Sequence, residues 1–69
     1  GENYLDELSS DAVTLWQVLC AQPRHINELT AVSALPAHRV LAALTELELA
    51  GLCESLAGGF YRAAHGAKP

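Results

Sequence analysis

The chain has 69 residues, of which 51% are hydrophobic and 17% are charged, and this composition excludes a disordered segment of low hydrophobicity. No apolar stretch approaches the roughly 18 residues of a membrane-spanning helix, and an acidic start with Glu2, Asp6 and Glu7 is unlike a secretion signal. The net charge of −4 disfavours a protein that holds nucleic acid by neutralising its phosphates. We therefore expect one small cytoplasmic domain.

Residues 1–9 are polar and acidic and are predicted to form an N-terminal extension, after which the first helix begins. Ser9 or Ser10 supplies its N-cap. Apolar side chains then recur at helical spacing, namely Ala12, Leu15, Trp16 and Leu19, with Trp16 as a core anchor. This helix is predicted to end near residues 21–22, just before Pro23.

The next segment is predicted to contain a stub strand and a short second helix. Ile26 is the strand candidate, and Asn27 is a suitable N-cap for a helix over residues 28–33. Leu29 and Val32 have the spacing of an inner helical face.

The third helix, from Pro36 to about Ala50, has the strongest periodicity. Its predicted core stripe consists of Val40, Leu41, Leu44 and Leu47. Gly51 follows the last periodic residue, where a left-handed C-cap is favoured. Residues 52–63 then predict a β-hairpin with a glycine-containing turn, and residues 64–69 a flexible tail.

This order of elements predicts an α+β fold, a winged helix-turn-helix over residues 10–63. It has three helices, a stub strand and a C-terminal β-hairpin wing. A different α+β arrangement is the alternative.

Chemistry-bearing residues are sparse. Cys20 and Cys53 lie in apolar segments, so both are predicted to be buried, reduced thiols. The histidines and cysteines lack the spacing of a metal site, and no phosphate loop or nucleophile motif is present. We expect no metal, no cofactor, no small-molecule substrate and no enzymatic activity.

Few residues could contact nucleic acid. In a winged helix that reads DNA, the solvent face of the third helix enters the major groove. On this face only His38 and Arg39 could address phosphates or base edges, and Arg62 on the returning strand of the wing is a third candidate. Glu46 on the same face would repel the phosphates.

The same face also carries Ala42, Thr45 and Leu49 at helical spacing. Clustered apolar groups on a surface are typical of protein contacts, so these residues are candidates for a protein-binding strip. The alternative is that Leu49 folds back on the wing or on the N-terminal segment.

The phrases INEL, ALPAHRVLAAL and LTELELAGLCESLAGGFYR, within residues 25–63, carry a resemblance to a known family. The segment resembles the C-terminal winged-helix domain of the DNA-processing protein DprA, also called Smf. The resemblance implies a parent protein with a Rossmann-like core that binds single-stranded DNA and helps to load RecA during natural transformation.

The predicted function is therefore an accessory module of a DprA-like protein that acts mainly through protein contacts. Its expected partner is the rest of the parent protein or another recombination protein. The alternative is a winged helix that binds nucleic acid weakly, or the DNA-binding domain of a transcription regulator.

Overall fold

The computed structural model describes residues 8–64, which form helices α1 (Ser10–Val18), α2 (Ile26–Ser33) and α3 (Ala37–Leu49) and strands β1 (Arg24–His25), β2 (Cys53–Leu56) and β3 (Phe60–Ala63). β3 lies between β1 and β2 and pairs antiparallel with both. The three helices, the stub strand and the wing confirm the predicted α+β winged-helix architecture. The boundaries at residues 9 and 63 remain predictions.

All three helices and the wing contribute to one hydrophobic core. Its buried members are Ala12, Leu15, Leu19, Leu29, Val40, Ala43, Leu44, Leu47, Cys53 and Ala63. Trp16, predicted to anchor the core, packs against it while remaining partly exposed. Burial of these side chains is the main stabilising contribution.

The two ends of helix α1 are held by different kinds of contact. The hydroxyl of Ser9 accepts the amide hydrogen of Ala12 at 3.1 Å, the N-cap that its sequence favours. The helix ends at Val18, so the predicted end near residues 21–22 is wrong. Leu19 turns into the core in an extended conformation, and the carbonyl of Cys20 accepts the amide hydrogen of Ala63 at 2.8 Å. After Leu19 the backbone therefore bonds to β3 instead of continuing the helix.

In the segment that follows α1, one of the two thiols is less buried than predicted. Cys53 is buried, as predicted, whereas Cys20 is only half-buried, so that part of the prediction is wrong. With α1 already ended, the Cys20 thiol lies beside the carbonyl of Gln22, at 3.4 Å from its oxygen.

His25 joins the stub strand to α2. Two predictions for this segment are wrong. The stub strand is Arg24–His25 and does not include Ile26, and the N-cap of α2 is His25 and not Asn27. Its Nδ1 accepts the amide hydrogen of Asn27 at 3.1 Å, and its ring meets Phe60 edge-to-face at 5.1 Å between centroids. A Cβ on Gly59 would lie 3.2 Å from His25 Nε2, so the glycine leaves room for the ring.

Replacing His25 with alanine should lower the free energy of unfolding by about 1–2 kcal/mol, since the N-cap acceptor and the aromatic contact are both lost. His25→Asn should retain most of the cap while losing the ring contact with Phe60. Urea denaturation followed by circular dichroism measures both variants. Equal destabilisation by the two would contradict a capping role.

The core stripe of α3 is partly different from the predicted one. Val40, Leu44 and Leu47 are buried, but Leu41 is 47% exposed, so its assignment to the core is wrong. Ala43 is buried in its place, because the arc that faces α1 is centred between Leu44 and Leu47 and leaves Leu41 at its margin. The helix itself begins at Ala37, with Pro36 as N-cap.

Val32, predicted to face inward from α2, is 50% exposed, which contradicts that prediction. Within this eight-residue helix only Leu29 is fully buried. Ile26 and Leu35 pack against the core at either end of the helix instead. The chain then turns at Ala34, whose φ of 62° ends the helix in the left-handed region.

Gly51 ends α3 as predicted. Its φ is +76°, a conformation that favours glycine. The amide of Leu52 donates to the carbonyl of Leu47 at 2.9 Å, and that of Gly51 to Glu48 at 3.0 Å, which together form a Schellman motif. This turn directs the chain into the wing, and Ala64 beyond β3 donates back to the carbonyl of Leu52 at 3.0 Å.

Candidate contact surface on α3

Helix α3 buries one face and leaves the opposite face open. The outermost residues of that open face are His38, Ala42, Thr45 and Leu49, which we call the α3 ridge. Leu49 is 85% exposed, the largest value among the exposed large hydrophobic residues of the described chain. Residues 8–64, the wing included, therefore leave Leu49 uncovered, and the alternative of a fold-back onto the wing is wrong. Residues 1–7, on which Leu49 could also have folded, lie outside the described part.

The middle of the ridge is less polar than its sequence indicates. The hydroxyl of Thr45 donates to the carbonyl of Leu41 at 3.0 Å. This bond to the preceding helical turn satisfies the hydroxyl within the helix. Thr45 therefore adds a methyl group to a surface that Ala42 and Leu49 already make apolar.

Arg39 does not stand free beside the ridge. Its Nε and Nη2 atoms donate to the two carboxylate oxygens of Asp11 at 2.8 and 2.7 Å. The side-chain hydrogen bond lowers the pKa of Asp11 and raises the pKa of Arg39. Such a bidentate pair fixes the guanidinium plane and compensates its charge. A phosphate would have to compete with Asp11 for this arginine.

The other two arginines of the described chain are paired as well. Arg62 donates from Nε to Glu54 Oε1 at 2.8 Å, across the β2–β3 ladder where the two residues are register partners. Arg24 of β1 lies 3.4 Å from Glu28 in the first turn of α2. The wing tip, Ala57 to Gly59, carries no charged group. Arg62 and Arg39 are thus on separate elements and each is neutralised locally.

His38, the third candidate for nucleic-acid binding, is exposed in the first turn of α3. Within residues 8–64 its side chain makes no hydrogen bond or ion pair. It is the one candidate of the three that is open to a ligand, and it lies at the end of the ridge.

Glu46 has a structural role that the sequence did not indicate. Its carboxylate accepts the amide hydrogen of Ser9 at 2.8 Å and the hydroxyl hydrogen of Ser9 at 2.7 Å. The same serine caps α1. Glu46 therefore ties the start of α1 to α3, a contact across 37 residues for which the local sequence gives no signal.

Glu48 lies on the other flank of the ridge. It is exposed, and no hydrogen bond or ion pair within residues 8–64 engages its carboxylate. No basic residue lies in the last turn of α3, where the helix dipole is negative. The C-terminal half of the ridge is therefore an apolar strip in a negative environment.

Residues 8–64 contain no group of three or more histidine, cysteine or acidic side chains placed to hold a metal ion. Across the same residues, no helix has the length and apolar character needed to cross a membrane.

A family model described as the DprA winged helix domain matches residues 3–59. The chain belongs to this family. The match includes all of α1, α2, α3 and β2, and it confirms the resemblance found in the sequence of residues 25–63. No curated protein and no solved structure matches the chain. In this DprA winged helix domain, the face of α3 that would read DNA carries an apolar ridge, and the arginines near it are paired.

Proposed function

We propose that the chain is an accessory module of a DprA-like protein and acts through protein contacts made by the α3 ridge. The parent protein's expected work is the handling of single-stranded DNA and the loading of RecA in natural transformation. The module's partner is then the core of the parent protein or another recombination protein. Catalysis is not part of its role in this proposal.

One contrast carries the proposal. Leu49 is 85% exposed on the outer face of α3, whereas each arginine of the described chain is held by a carboxylate. Affinity for nucleic acid depends largely on unpaired basic groups that neutralise phosphates. Contact surfaces between proteins depend on apolar groups that lose water on binding. The ridge offers the second kind of group.

Leu49→Glu should weaken docking of the domain to the DprA core by tenfold or more, because it replaces the largest exposed apolar side chain of the α3 ridge with a charge. The domain itself should remain folded, since the side chain is exposed. Isothermal titration calorimetry measures the docking, and urea denaturation measures the fold.

Val32→Glu is the matched control, because Val32 is also an exposed apolar residue but belongs to α2. It should leave docking unchanged. If Leu49→Glu docks as tightly as the unmodified chain, the α3 ridge is not the contact surface.

A further inference from the structure

We propose that the α3 ridge binds an amphipathic helix whose apolar seam is flanked by lysine or arginine. This inference rests on the proposed function, because it names the chemistry of the partner at the same surface. It is carried by the spacing of the ridge residues, by their sizes and by the charges beside them.

The spacing of the ridge is that of a helix–helix seam. His38, Ala42, Thr45 and Leu49 are separated by four, three and four residues. This is the alternation of the a and d positions of a heptad, which keeps one line of side chains facing a partner helix. The buried face of α3 is already used by the core, so this seam is a second one on the opposite side.

The sizes along the seam favour close approach of a helix. Ala42 and Thr45 are small and lie at its centre, while His38 and Leu49 are larger and lie at its ends. Interaxial distances between packed helices fall to about 8 Å when the contact residues are small. An amphipathic helix laid along the ridge would cover Leu49 with apolar side chains, the usual arrangement of a helix bound through its apolar stripe.

The residues that flank the seam favour a positively charged partner. In the heptad frame Glu46 and Glu48 occupy the e and g positions beside the seam, which in a coiled coil face the flanking residues of the partner helix. The carboxylate of Glu46 is engaged by Ser9, so Glu48 is the acidic group open to a partner. Glu48 has no ion-pair partner within residues 8–64, and the carbonyl end of α3 adds negative potential. Arg39, the basic residue of the other e position, is engaged by Asp11. A helix with basic flanks would complement this surface, and one with acidic flanks would be repelled.

A second copy of the chain fits this surface less well. In an antiparallel pair of α3 ridges, Glu48 would face Leu41 of the other copy, so no unpaired basic group would meet it.

The test uses the isotope-labelled 69-residue chain and two designed peptides of about three heptads, with leucine and alanine in the seam. One carries lysine at every e and g position and the other carries glutamate there. Amide shifts on titration should map to the α3 ridge. At low salt the lysine peptide should bind at least about fivefold more tightly than the glutamate peptide. Glu48→Lys should reduce this preference, while Gln17→Lys, on the exposed surface of α1, should not.

Equal affinity for the two peptides, or shifts away from α3, would overturn the inference. Ridge shifts that grow with chain concentration in the absence of peptide would overturn it in favour of a second copy. The proposed function is tested separately by Leu49→Glu in docking to the DprA core. If that variant fails to dock while the two peptides bind equally, the α3 ridge is still a protein-contact surface, but its partner is not a helix with basic flanks.

Discussion

Replacing Leu44 with alanine is expected to lower the free energy of unfolding by about 2–5 kcal/mol. Leu44 is fully buried in the middle of α3, in the core that joins the helices to the wing. The substitution removes apolar contacts and leaves a cavity that the surrounding side chains fill only in part. Domains have roughly 0.05–0.15 kcal/mol of stability per residue, so a chain of 69 residues has about 3–10 kcal/mol and this substitution removes a large part of it.

Leu41→Ala is the control for this prediction, because it changes the same residue type in the same helix at a site that is 47% exposed. Its expected cost is below about 1 kcal/mol. Urea denaturation followed by Trp16 fluorescence compares the two. If both variants lost the same stability, the assignment of Leu44 to the core and Leu41 to the surface would be wrong.

Cys53 is expected to react with iodoacetamide about a thousandfold more slowly in the folded chain than in the urea-unfolded chain at pH 8. Burial, and then the carboxylates of Glu48 and Glu54, raise the pKa of its thiol to about 12. An ordinary cysteine has a pKa near 8.5, and only the thiolate reacts. At pH 8 the reactive fraction of Cys53 is therefore smaller by about three powers of ten.

Mass spectrometry of the alkylated peptides separates the two cysteines. Cys20 is half-buried and serves as the internal control, so it should be modified while Cys53 remains free. Both should react once the chain is unfolded. Modification of Cys53 at the rate of Cys20 in a chain that retains its helical circular dichroism would contradict this burial.

The sequence predicted those elements whose signals are local. The apolar periodicity of α3, the glycine that ends it and the hairpin with two glycines at its tip each depend on neighbouring residues. The serine N-cap of α1 belongs to the same group, since its hydroxyl bonds an amide only three residues ahead. These elements together fix the order that defines the fold.

The wrong predictions mostly concern features that depend on contacts between residues far apart in the sequence. The segment that follows α1 bonds to β3 through Cys20 and Ala63, and the histidine that caps α2 has its ring against Phe60 and close to Gly59. Propensity favours asparagine over histidine as a cap, so only the folded chain identifies His25. Leu41 was misplaced because apolar character alone does not distinguish the centre of a buried arc from its margin.

The candidate surface was predicted in part. The spacing of Ala42, Thr45 and Leu49 was sufficient to place them on one helical face, and Arg39 and Arg62 were identified as basic groups near it. Their neutralisation was not predictable, because Asp11 and Glu54 lie 28 and 8 residues away from their respective arginines. The sequence therefore located the surface, whereas only the ion pairs determine its chemistry.

We propose that this winged helix contacts protein rather than DNA. Amide chemical shifts of the labelled 69-residue chain test it most directly, in parallel titrations at low salt with a short DNA duplex, with single-stranded DNA and with the DprA core. We expect the core to shift Ala42, Thr45 and Leu49, and either form of DNA to leave α3 and the wing unchanged. Shifts at His38, Arg39 and Arg62 on addition of DNA, with none from the core, would contradict the claim.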